Sequence, residues 1–76
     1  MAKAYLKIWV ESGKEKGIAA TLKKMKGVKS ADITAGEQDI IAMVEGKTTD
    51  ALLKMIVDTL RKVKGITRTE TNLILE

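Results

Sequence analysis

Leu22-Lys23-Lys24-Met25-Lys26-Gly27-Val28 and Leu60-Arg61-Lys62-Val63-Lys64-Gly65-Ile66 decide how this chain reads. The two stretches align residue for residue at an offset of 38 positions, half the length of the 76-residue chain. Each sets apolar residues at helical spacing among cations, then a glycine, then a β-branched residue. A second echo joins Val10-Glu11-Ser12-Gly13-Lys14 to Val44-Glu45-Gly46-Lys47, one residue shorter. Each half therefore reads strand, Gly-Lys turn, helix, glycine stop, strand. Two copies at so long a period describe a duplicated supersecondary unit rather than a solenoid.

Local signals agree with this division. Ala4, Leu6, Ile8 and Val10 alternate with Tyr5, Lys7 and Trp9, the period of two of a strand. Ser12 with Glu15 three residues on reads as a capping box, opening a helix whose apolar stripe is Ile18, Leu22 and Met25. Gly27 stops that helix, and Val28 to Ala35 reads as a polar edge strand. Gly36-Glu37-Gln38-Asp39 is a turn and Ile40 to Glu45 the next strand. Thr48 or Thr49 caps a second helix, with Asp50 in its first turn and a wide stripe of Leu52, Leu53, Ile56, Val57, Leu60 and Val63. Gly65 ends it, and Ile66 to Leu75 is the last strand. The order βαββαβ with right-handed crossovers predicts a ferredoxin-like α+β fold: a four-stranded antiparallel sheet with two helices on one face.

Composition narrows the chemistry. The chain is long enough for one domain, residues 1–76, and a domain this small often needs a partner to complete its core. It has neither cysteine nor histidine. Disulfides are excluded, the usual transition-metal sites are disfavoured, and the commonest general base and the thiol nucleophile are missing. Glu11, Glu45 and Glu76 fall at strand ends, where a solvated charge is the default, and Gly13-Lys14 and Gly46-Lys47 lack the glycine-rich lead of a phosphate loop. No enzyme activity and no cofactor are expected. An RNA-binding sheet needs aromatics on both central strands, and Ile40 to Val44 supplies none. With no apolar run long enough to cross a bilayer and no signal-like start, a cytoplasmic protein without membrane attachment is expected.

The sheet face away from the helices is the notable surface. Ile40-Ile41-Ala42-Met43-Val44 and Leu73-Ile74-Leu75 are apolar on both parities, and Tyr5 and Trp9 lie opposite Leu6 and Ile8. Leaving those side chains wet forgoes several kcal/mol at about 25 cal/mol per Å2, comparable with the stability of so small a domain. A second copy, docked sheet to sheet or edge to edge, is the simplest remedy. The net charge of +4 collects at the ends of the two helices, where cations complement the helix dipole or meet an anionic partner. The turn Gly36 to Asp39 suits a small ligand, its glycine admitting close approach and its carboxylates an ammonium group. Thr67, Thr69 and Thr71 alternate along the last strand, where they serve either such a ligand or the edge of a sheet.

In their order and spacing, Lys64-Gly65-Ile66-Thr67-Arg68-Thr69-Glu70-Thr71 leading into Leu73-Ile74-Leu75, Gly36-Glu37-Gln38-Asp39 after the second strand, and the Val-Glu-Ser-Gly-Lys opening resemble the effector domain of the Lrp/AsnC (feast/famine) transcription regulators, also called RAM. The resemblance runs from Ala4 to Glu76. It implies dimers packed sheet against sheet, as in dimeric α+β barrels, that assemble into octamers or decamers. It also implies an amino-acid effector bound between dimers by Gly36, Glu37, Gln38, Asp39, Thr67, Thr69 and Thr71. Gln38 stands where the family often has an aromatic residue, a departure that bears on effector identity. Full-length members carry a helix-turn-helix that this sequence lacks, so a stand-alone sensor is expected, without sequence-specific DNA binding of its own and with full-length regulators as further partners. Two other readings remain, a dimeric α+β barrel enzyme with a catalytic cavity and an ACT-type module whose sheets join side by side.

Overall fold

The computed structural model describes residues 1–75; Glu76 lies outside the described residues. The order is β1 (Ala2–Val10), α1 (Glu15–Lys23), β2 (Val28–Ile33), β3 (Ile40–Gly46), α2 (Thr49–Lys62) and β4 (Ile66–Leu73). All pairings are antiparallel, and the strands lie in the order β2-β3-β1-β4. This is the ferredoxin-like βαββαβ arrangement that the duplicated sequence predicts.

Strand alternation creates the core. Ala4, Leu6 and Ile8 of β1 and Ile40, Ala42 and Val44 of β3 are buried. They join Ile18, Ala19 and Leu22 of α1 and Leu52 and Ile56 of α2 in one cluster, so both helices cover the same side of the sheet. Thr48 caps α2 by accepting a hydrogen bond from the Ala51 amide at 3.1 Å. Among the described residues, no helix is long and apolar enough to cross a membrane.

Several expectations are corrected. Ser12 and Glu15 form no capping box: α1 begins at Glu15 behind Lys14, and no side chain caps it. Gly13, at φ +86°, turns the chain between Ser12 and the helix, and the Lys14 amide bonds to the Glu11 carbonyl at 3.1 Å. Glu15 therefore occupies the first helical position, too early to reach back to Ser12. The stripe on α2 is narrower than its sequence suggests. Leu52, Ile56 and Thr59 are buried, whereas Leu53 and Val57, one step round the helix, are 39% and 47% exposed. β2 ends at Ile33 rather than Ala35, and β4 ends at Leu73, leaving Leu75 90% exposed beyond the sheet.

Gly27 and Gly65, the paired glycines of the repeat, both adopt positive φ, +89° and +99°, and hand the chain to β2 and β4. A Cβ on Gly27 would also lie 3.1 Å from the Glu45 carbonyl oxygen, whereas one on Gly36 meets only the Gln38 amide nitrogen at 3.9 Å. Gly27→Ala is therefore expected to cost about 1–2 kcal/mol and Gly36→Ala less than about 0.5 kcal/mol, read as urea midpoints. Equal losses at the two positions would refute this account of the turn.

Candidate functional site

The turn between β2 and β3 is held by its own bonds and clasped to the end of β1. The Thr34 amide donates to the Asp39 carbonyl at 2.9 Å. The Thr34 hydroxyl donates to the Gln38 carbonyl and accepts from the Gln38 side-chain amide, both at 3.1 Å. Three further bonds reach β1. The Asp39 amide donates to the Ile8 carbonyl at 3.0 Å, the Val10 amide to Asp39 Oδ2 at 2.9 Å, and the Trp9 indole Nε1 to the Glu37 carbonyl at 2.8 Å. The β1–β3 ladder ends at the pair Ile8 and Ile40, and the Asp39 carboxylate accepts the Val10 amide just beyond it.

The other side of β1 carries β4. The register shifts between Trp9, opposite Arg68, and Val10, opposite Ile66, so Thr67 is the extra residue of a bulge. Thr69 and Thr71 lie opposite Ile8 and Leu6 and thus face the helix side, Thr69 half-buried and Thr71 exposed. The expected single face of three threonines is therefore broken at Thr67. Within one chain the loop Gly36–Asp39 and the threonines flank opposite edges of β1, separated by two strand spacings of about 4.8 Å each. Gly36 and Glu37 are exposed, and Gln38 and Asp39 half-buried.

Arg68 is what the structure brings near the loop. Its guanidinium carbon lies 4.5 Å from the centre of the Trp9 ring, whose N–H holds the Glu37 carbonyl. Arg68 Nη2 also approaches Glu70 Oε2 at 3.7 Å. Neither Trp9 nor Arg68 was a predicted ligand contact. An alternation of two places Arg68 on the face opposite the threonines but does not show the register that sets it opposite Trp9.

The open sheet face presents Tyr5, 45% exposed, with Trp9, Ile41 and Met43 half-buried. Charges cross it as pairs: Lys3–Glu45 at 3.9 Å, Lys7–Glu70 at 3.7 Å and Lys29–Glu45 at 3.3 Å. The described residues contain no cluster of three or more acidic side chains that could hold a metal ion.

Removing the Asp39 clasp tests this geometry. Asp39→Ala leaves the Val10 amide without its carboxylate, a loss of about 1.5–3 kcal/mol for a bond to a charged group. Hydrogen exchange at Val10 is expected to accelerate by about tenfold or more. Unchanged exchange would show that Asp39 does not hold this strand end.

Comparison with known proteins bears on what such a loop serves. The profile of the Lrp/AsnC ligand binding domain matches residues 3–76. An uncharacterised HTH-type transcriptional regulator of Pyrococcus furiosus is 33% identical over 57 residues, which are 75% of this chain and 38% of that protein. The chain thus spans well under half the length of that relative. A hypothetical protein of Pyrococcus horikoshii has a crystal structure that superposes with a TM-score of 0.91 at 35% identity, covering 100% of this chain and 93% of the other. A transcriptional regulator of Neisseria meningitidis, solved as a complex with L-Met, shares the fold at a TM-score of 0.84 and 21% identity, over 99% of this chain and 50% of that one.

Proposed function

The chain belongs to the Lrp/AsnC ligand-binding domain family, and on that premise we propose that it is a single amino-acid-sensing domain, residues 1–76, acting in the cytoplasm by binding rather than catalysis. The observation that carries this reading is the clasped loop. Bonds to β1 hold Glu37 and Asp39 in place before any ligand arrives, so little ordering entropy remains to oppose binding. Asp39 gives one carboxylate oxygen to Val10, and the exposed Glu37 carboxylate is the better partner for an α-ammonium group. Amides near Gly36 receive the α-carboxylate. The relative solved with L-Met supports an amino acid as the ligand class.

The separation of loop and threonines within one chain supports a site shared between subunits. Gly36 to Asp39 of one copy would face Thr67, Thr69 and Thr71 of another. The partly exposed aromatic and aliphatic groups of the open face support the first step of assembly, a dimer packed sheet against sheet. Rings of eight or ten subunits follow from such dimers, with full-length regulators of the family as further partners. A ligand held at a subunit boundary stabilises the assembly that forms the pocket, so effector and oligomer bias each other equally.

Light scattering and titration calorimetry with each of the twenty amino acids test the reading. The expected mass is at least twice that of the 8.3 kDa chain, with at least one amino acid that binds and shifts it. Tyr5→Arg, which sets a charge in the open face, is expected to give a folded monomer. A wild-type monomer at micromolar concentration, or no binding by any amino acid, would overturn the proposal.

A further inference from the structure

The chain's charge is divided between its two layers. The segments 14–26 and 47–64, which contain the helices, hold ten of the fourteen Lys and Arg and only three of the ten Asp and Glu, a net +7. The rest of the chain holds the remainder, a net −3. All ten helix-layer cations are exposed. Among the described residues, ion pairs cross the sheet face, while of those ten cations only Lys14 is paired, to Glu11 at 3.6 Å. Such pairing on one layer and its near absence on the other exceed what complementing two helix dipoles requires.

Geometry arranges part of this charge in a line. A groove of about 500 Å3 runs between the start of α1 and the end of α2, with Lys14, Lys62 and Lys64 around Gly17 and Thr21. A second groove of about 290 Å3 continues between the end of α1 and the middle of α2, lined by Lys26 and again Lys62. Lys62 borders both, so the four lysines follow the boundary of the two helices. Asp58 is the acidic residue beside this track.

We propose that this track binds the phosphodiester backbone of a nucleic acid without reading its sequence. The nine residues of α1 rise about 13 Å, a length that spans about four phosphates of one duplex strand at 3.4 Å of axis each. The helix layer carries no aromatic residue on which an unpaired base could stack, because Tyr5 and Trp9 both belong to β1. Asn72 and Gln38, side chains suited to base edges, lie on the sheet and its loop. The exposed Leu53 and Val57, which could anchor a protein segment or enter a lipid surface, line neither groove. What remains is cations spaced along a shallow channel, a surface suited to repeated negative charge. The proposal is independent of the amino-acid reading.

Fluorescence anisotropy of the full chain with labelled 20-base-pair duplexes tests it. Two unrelated sequences should bind within about threefold of each other, and log K should fall with log salt at a slope of about −3 to −4, near 0.9 per phosphate contact. Lys62→Ala with Lys64→Ala should reduce that slope by about 2, while Lys3→Ala on the sheet leaves it unchanged. No binding at 20 mM KCl overturns the proposal, as does an equal loss with Lys3→Ala. More than tenfold preference between the duplexes, or tighter binding to phosphatidylserine vesicles or polyglutamate at equal salt, also overturns it.

Discussion

Strand β1 is hydrogen-bonded along both edges, to β3 and to β4, and the rest of the molecule is arranged around that constraint. Its alternate residues must satisfy two different surroundings. Ala4, Leu6 and Ile8 are sealed beneath the helices, and Tyr5, Lys7 and Trp9 stand on the open face. At its C-terminal end the strand still needs partners for its amides, because β3 begins only at Ile40 and β4 is displaced by a bulge. Asp39 accepts the Val10 amide on one side, and Gly65 accepts the Glu11 amide at 2.8 Å on the other. Buried or half-buried backbone polar groups require such partners, and here the requirement builds the candidate ligand loop.

Trp9 belongs to both surfaces that the proposed function uses. Its ring stands on the open face under Arg68, and its N–H fixes the Glu37 carbonyl. A copy packed on that face therefore touches the same side chain that orders the loop, and reorientation of the ring acts on both. In the proposed assembly this side chain would be a physical route by which association and ligand affinity influence each other, in the sense that linkage demands. It would require no long pathway, because one indole both stands on the open face and holds the loop.

The duplicated helix-glycine segments made the order of elements legible, because Gly27 and Gly65 share both a sequence context and a positive φ. Period-two alternation likewise grouped Leu6 and Ile8 on one face, and the structure shows that this is the face the helices bury. Features that depend on one residue more or less were not legible. The capping pattern at Ser12 and Glu15 has the right spacing, yet a glycine turn between them moves the helix start past it. A bulge at Thr67 changes which β4 residues share a face, and alternation alone carries no mark of it. The six apolar positions of α2 fit a helical stripe, yet the core covers only its central line, leaving Leu53 and Val57 at the flank. The loop residues were legible as a polar turn with glycine. Their clasp was not, because it depends on which β1 atoms the turn meets.

The division of charge also restricts how copies can meet. Two helix layers brought face to face would set net +7 against net +7. Near a protein surface each unit pair about 10 Å apart costs about 1–2 kcal/mol before salt screens it. Two open sheet faces carry no such penalty, since Lys3, Lys7 and Arg68 already lie beside Glu45 and Glu70. Burying those pairs still has a desolvation cost, and keeping each cation next to its carboxylate limits it. Charge therefore favours the sheet face over the helix layer as the surface on which two copies would meet. The cations of the helix layer stay exposed to solvent.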